Sequence, residues 1–116
     1  MSGVRLVINL YARPGHVDDY IQAWAPRYEA VNAEPGCIQY ELFRSTQNPG
    51  NLAVLEWWAD AAAFDTHWAR QLATPAPGGE FLAPRAERLV GRNTTEIYWD
   101  RRDYRYDPVT GKWAPR

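Results

Sequence analysis

Two hydrophobic periods alternate along this chain, and each change of period marks an element. Val4–Tyr11 (VRLVINLY) is a dense aliphatic run that predicts a first strand, stopped by Pro14-Gly15. Over residues 16–32 the spacing becomes helical. Val17, Ile21, Trp24, Tyr28 and Val31 fall on one face, and Asp18 and Asp19 sit in the first turn, where the helix dipole favours acids. Pro26 interrupts this stretch, but the apolar stripe runs past it, so a kink near Gln22 is expected rather than an end. Residues 37–45 return to a period of two, with Ile38, Tyr40 and Leu42 on one face and Gln39, Glu41 and Phe43 on the other. A loop at Gln47-Asn48-Pro49-Gly50-Asn51 leads into a paired strand over residues 52–57, next to Trp58. Asp60 is a good N-cap for a helix over 61–72, whose Ala triplet has high helix propensity. Residues 73–79 (ATPAPGG) break the pattern, and 80–90 resume it with Phe81, Leu82, Arg85, Ala86 and Leu89. Residues 94–106 predict a long aromatic last strand, followed by a turn at 107–111 that sets Tyr106 against Trp113 in a small hairpin.

The predicted order is β-α-β-β-α-β. With right-handed crossovers this is an α+β, ferredoxin-like fold: a four-stranded antiparallel sheet with both helices on one face. The strands carry apolar residues on both parities, Leu6, Ile8 and Leu10 against Val7 and Tyr11. The second face therefore needs a cover too, and a homodimer with sheets packed face to face supplies it economically. The organisation expected is one domain over residues 1–100 with a C-terminal extension over 101–116. The extension is expected to pack on the partner subunit, because Tyr104, Tyr106 and Trp113 would otherwise be exposed rings.

Composition narrows the function. At 116 residues the chain builds one core. Six Trp and seven Tyr are many rings for that length, and they suit an aromatic-walled cavity, a buried interface, or both. A net charge of −1 argues against nucleic acid, and the aromatic-basic signature of an RNA-binding sheet is absent. The arginines at 101, 102 and 105 are offset by Asp100, Asp103 and Asp107. The lone Cys37 reads as a small hydrophobe near the start of a strand. The opening MSGVRLVINLY turns polar too soon for a signal peptide or a membrane span, so a cytoplasmic protein without membrane contact is expected. Two distant histidines and the absence of GxGxxG or GxSxG leave no metal, nucleotide or triad constellation.

Several of these residues form a set: Arg13-Pro14-Gly15, Glu34-Pro35-Gly36-Cys37, Tyr40-Glu41, Glu56-x-Trp58, then Phe64 and His67. Over residues 4–90 the chain resembles the antibiotic biosynthesis monooxygenase family of dimeric α+β barrel proteins. The resemblance implies a dimer with a cavity between sheet and helices in each subunit. It also implies an activity: oxidation of an aromatic or quinol-like small molecule by dioxygen with no metal, flavin or haem. The rival is a ligand-binding or structural dimer that kept the scaffold without catalysis. Trp58 matches the tryptophan of quinone-forming members, whereas Val54 and Phe64 stand where those enzymes place Asn and Tyr. Haem-degrading members carry a proximal histidine beyond the tryptophan, and residues 70–90 contain none.

The resemblance directs attention to His67 as general base or orienting group, with a hydrogen-bonded histidine capping the cavity as the plain alternative. Trp58 is expected to line the site or anchor the helix start. Asn9 is a candidate for orienting a carbonyl or dioxygen, or else a structurally bonded amide. Tyr40, Trp24, Tyr28, Phe64 and Val54 are expected to shape the substrate pocket, though such tyrosines are most often core. Arg85 is placed at its mouth, or in a surface ion pair.

Overall fold

The computed structural model describes residues 3–83, 95–99 and 103–115. Along the chain run β1 (Val4–Tyr11), α1 (Val17–Asn32), β2 (Cys37–Arg44), β3 (Asn51–Trp58), α2 (Ala61–Ala73), a short 3-10 turn (Gly79–Phe81) and β4 (Thr95–Tyr98). A hairpin of β5 (Tyr104–Asp107) and β6 (Lys112–Pro115) follows. The main sheet has the order β2-β3-β1-β4 with every neighbouring pair antiparallel, which is the ferredoxin-like arrangement expected from the sequence.

Register decides which residues meet the helices. β1 pairs with β3 through Leu6↔Glu56 and Ile8↔Val54, and with β4 through Leu6↔Ile97 and Ile8↔Thr95. Val4, Leu6, Ile8 and Leu10 therefore share a face with Leu52, Val54, Glu56 and Trp58, and this face carries the helices. β3 alternates strictly between half-buried and buried positions along its whole length. Tyr20, Trp24 and Val31 of α1 and Phe64 of α2 close over these strands and complete the core. Each large side chain so buried contributes roughly 1.5–3 kcal/mol.

α1 runs unbroken through Pro26, as the stripe required, although its buried centre includes Tyr20 alongside Trp24 and Val31. The alternation expected for β2 fails at one position. Cys37 pairs with Trp58 and Gln39 with Trp57, so Ile38 is the extra residue of a β-bulge. It is 44% exposed rather than aligned with Tyr40 and Leu42.

The single long last strand also needs correction. β4 ends at Tyr98, and β5 begins at Tyr104 in a separate two-stranded sheet with β6. A flat strand from 94 to 106 would have run past Val4, where β1 begins, since Tyr98 already pairs with Arg5. The expected turn at 107–111 is present, closed by Gly111 N–H to the Asp107 carbonyl at 2.8 Å. Only the start of the helical piece expected at 80–90 is described. It is the 3-10 turn, after which Leu82 bridges to Ala12 as extended chain, and the remainder lies outside the described residues.

Candidate functional site

α2 presents Phe64, His67, Trp68 and Gln71 to the sheet at i, i+3, i+4 and i+7, one face of a helix. Asp60 starts the helix as expected, its carboxylate accepting the Ala63 N–H at 2.8 Å. Opposite these four side chains stand Leu6 and Ile8 of β1, Glu56 of β3, and Thr95 and Ile97 of β4. Together they enclose a cavity of about 390 Å³. Its walls are mostly aliphatic and aromatic, with Glu56, His67, Gln71 and Thr95 as the polar exceptions. The size falls toward the lower end of the roughly 300–1,000 Å³ usual for small-molecule sites.

His67 is 3% exposed and lies between two carboxylates. Its Nδ1 is 3.1 Å from Glu34 Oε2, and its Nε2 is 3.7 Å from Glu56 Oε1. The ring stacks on Trp58 with centroids 4.5 Å apart and planes 27° apart, and Tyr40 stands 5.8 Å away. Trp58 in turn donates its indole N–H to Glu56 Oε1 at 3.0 Å. Arg70, one turn or so beyond His67, donates to Glu34 Oε1 at 2.8 Å.

The turn that delivers Glu34 is tightly fitted. Gly36 has φ of +81°, and a Cβ there would lie 2.5 Å from the Ala63 Cβ. Only glycine lets the turn press against α2, and the Gly36 carbonyl then accepts the Ala59 N–H at 2.8 Å.

Electrostatics follow from burial. Desolvation pushes the Glu56 carboxyl above its ordinary value, opposed by the Trp58 hydrogen bond and by His67 and reinforced by the Glu34 charge. Burial raises the Cys37 thiol to about 11, helped by the negative charges of Glu34 and Glu56, so it is no nucleophile at neutral pH. Tyr40 and Tyr28 are also raised by burial above the ordinary phenol value, which keeps both neutral. Gln71 has its carbonyl oxygen occupied by Arg27 at 2.8 Å, which leaves its amide N–H groups as donors. Among the described residues no three His, Cys, Asp or Glu side chains converge as metal ligands would.

The other sequence candidates distribute unevenly about this cavity. Phe64 lines it. Trp58 and Val54 are fully buried beneath it, and Trp58 reaches it only through Glu56 and His67. Trp24 and Tyr28 do not line it. They belong to an aromatic block in which Trp24 stacks on Tyr40 at 5.8 Å and Tyr28 meets Tyr40 edge-on at 6.1 Å. Tyr28 and Tyr40 instead border an open groove of about 410 Å³ beside β2.

Asn9 lies on the wrong face for the proposed role. It pairs with Ala53 on the parity opposite to Leu6 and Ile8, among Phe43, Arg44 and Asn51 on the far side of the sheet. Arg85 lies outside the described residues. Glu34 and Glu56, which in the sequence marked only the family resemblance, and Leu6, Ile8, Trp68, Gln71, Thr95 and Ile97 of the cavity wall were not assigned to the site from the sequence. One signal was available: Glu56 falls in the buried parity of Leu52-x-Val54-x-Glu56-x-Trp58, where a carboxylate must find partners.

A four-stranded antiparallel sheet under two helices, with an apolar cavity and a buried titratable cluster between them, defines an α+β ferredoxin-like protein. The chain belongs to the antibiotic biosynthesis monooxygenase family, whose pattern it matches over residues 3–73, more than half its length. No curated protein matches it. Among solved structures it is similar to a conserved protein of Methanosarcina mazei (24% identity, TM-score 0.59, covering 87% of this chain and 93% of that one). It is also similar to a Pseudomonas aeruginosa protein (21%, TM-score 0.61, 85% and 92%). A structure of an antibiotic biosynthesis monooxygenase matches at 24% identity, TM-score 0.54, with 83% and 94% covered. At these identities the likeness speaks for the fold.

Proposed function

We propose that this protein is a cofactor-independent monooxygenase that oxidises an aromatic or quinol-like small molecule with dioxygen. The observation that carries the reading is the apolar cavity of about 390 Å³ with a buried imidazole and carboxylate in its wall. A phenolic ring packs against Leu6, Ile8 and Phe64, with the half-exposed Trp68 and Ile97 at the rim. His67 takes the phenolic proton, Glu34 holds its ring in place, and the Gln71 amide can donate to a second substrate oxygen. The resulting electron-rich anion reduces dioxygen directly. A hydroquinone and dioxygen give a hydroxyquinone and water, so all four electrons come from the substrate and no further reductant is needed.

The family membership supports this reading at the level of its general chemistry. A homodimer is part of the proposal. Val7, Leu55 and Trp57 are half-buried and Phe43 and Tyr98 exposed on the sheet face away from the helices, and a second copy would cover them. Tyr104, Tyr106 and Trp113 of the extension would pack on that partner. No helix among the described residues is long and apolar enough to cross a membrane, and a cytoplasmic site of action is part of the same reading. The alternative, a non-catalytic binding dimer on the same scaffold, is favoured by one observation: Val54 and Phe64 cannot donate hydrogen bonds to a substrate.

The test is oxygen uptake by the protein over a panel of hydroquinones. The expected outcome is uptake well above buffer that is lost in His67→Ala. A panel in which no compound is oxidised, yet one binds and shifts the melting temperature, would establish the binding role instead.

A further inference from the structure

His67 separates two carboxylates that face different surroundings. On its Nε2 side Glu56 lines the cavity, with its side chain only 4% exposed; on its Nδ1 side the Glu34 side chain is 13% exposed. Arg70, bound to Glu34, is 55% exposed. Glu34 also borders a shallow surface depression with Pro35, Asp60, Thr66 and Arg70. Exposure thus rises stepwise along the ionisable side chains, from Glu56 and His67 through Glu34 to Arg70. The Gly36 turn holds this arrangement against α2.

We propose that Glu34 is the proton exit of the cavity, acting through His67 as a positioning and proton-carrying residue. The proposal rests on the oxidative reading above. In the outward step the substrate O–H bond breaks as His67 Nε2–H forms, Nδ1–H breaks as a Glu34 O–H forms, and Glu34 releases its proton to water. As dioxygen is reduced, Nδ1 takes a proton back from solvent through Glu34 while the hydrogen on Nε2 passes to the oxygen that leaves as water, which restores the starting tautomer. Among the described residues the ionisable groups that meet the imidazole are Glu56 on β3, Tyr40 on β2 and Glu34 in the turn, with Arg70 of α2 and Cys37 of β2 set beyond the carboxylates. Cys37 and Tyr40 stay neutral, and the path runs from His67 Nδ1 to Glu34.

The decisive variant is Glu34→Gln, which keeps an oxygen acceptor for Nδ1–H but cannot take up a proton. Nitrogen-15 NMR of histidine-labelled protein, with His16→Gln used for assignment, reads the His67 tautomer and its N–H exchange with water without any substrate. Wild type and Glu34→Gln are expected to share the Nδ1–H tautomer, with exchange at least tenfold slower in the variant. Equal exchange rates overturn the proposal. Should the variant not fold, Glu34→Asp takes its place, since it draws the carboxylate back from Nδ1. Exchange slowed severalfold supports the exit, and unchanged exchange overturns it.

With a hydroquinone that wild type oxidises, Glu34→Gln should lower kcat at least tenfold with KM within twofold, and added formate should restore Glu34→Gly in part. An active wild type with an equally active Glu34→Gln removes the exit and leaves the oxidative reading standing. A wild type without oxygen uptake removes that reading, and the exchange measurement still decides the exit.

Discussion

Glu56 sits where a strand of the core would ordinarily carry an aliphatic residue, and its cost there shapes the site. Its carboxyl is raised by burial above the ordinary value of 4.5. The fold therefore favours the protonated form. The stability from that form is complete below pH about 4.5 and is lost as pH rises through the higher folded value. Glu56→Gln, neutral at every pH and still able to accept the Trp58 N–H, should melt above wild type at pH 8, with the gap closing toward pH 4.5. Calorimetry across that range checks it, and a gap that widens on acidification contradicts the sign. His67→Ala should lower oxygen uptake by about 10²–10⁴-fold, the usual weight of a general base. Cys37 should react sluggishly with a thiol reagent at pH 8 and speed up only as pH nears about 11, since burial and two carboxylates disfavour its thiolate.

At the scale of elements, the Glu34-Pro35-Gly36 turn matters more to the site than its length suggests. Gly36→Ala would force a side chain into the left-handed region and against Ala63. A loss of about 1–3 kcal/mol is expected in chemical denaturation, together with a weakened Glu34–His67 contact. Asp60→Ala removes the cap of α2 and should cost about 1 kcal/mol. Strand and helix existence was legible because local periodicity encodes it. The Ile38 bulge was not, because a bulge is defined against the partner strand and leaves the alternating pattern of Gln39 to Phe43 intact. The break between β4 and β5 escaped for the same reason: thirteen residues of strand-like composition do not say where the neighbouring strand stops.

At the scale of the molecule, the radius of gyration of 16.3 Å exceeds the roughly 13 Å typical of a compact chain of this length, in keeping with a β5–β6 hairpin that pairs with itself and leaves Tyr104, Tyr106 and Trp113 exposed. If the hairpin packs on a second subunit, truncation after Asp100 should destabilise the dimer. Light scattering is then expected to show a concentration-dependent fall from twice the chain mass. An equally stable dimer after truncation would return the hairpin to the role of an independent arm.

The sequence alone determined the order of elements from β1 to α2, the antiparallel ferredoxin-like sheet, the helix carrying His67 and the family, because strand parity, helical spacing and capping are local properties of neighbouring residues. Tertiary structure decided that Asn9 turns away from His67, that Trp24 and Tyr28 pack with Tyr40 instead of walling the cavity, and that Glu34 and Glu56 flank the imidazole. Those relations join residues from different elements: Glu34 hydrogen-bonds His67 at 3.1 Å and Glu56 stands 3.7 Å from it, and only the register of β1, β3 and β4 and the close seating of α2 on Gly36 bring them together.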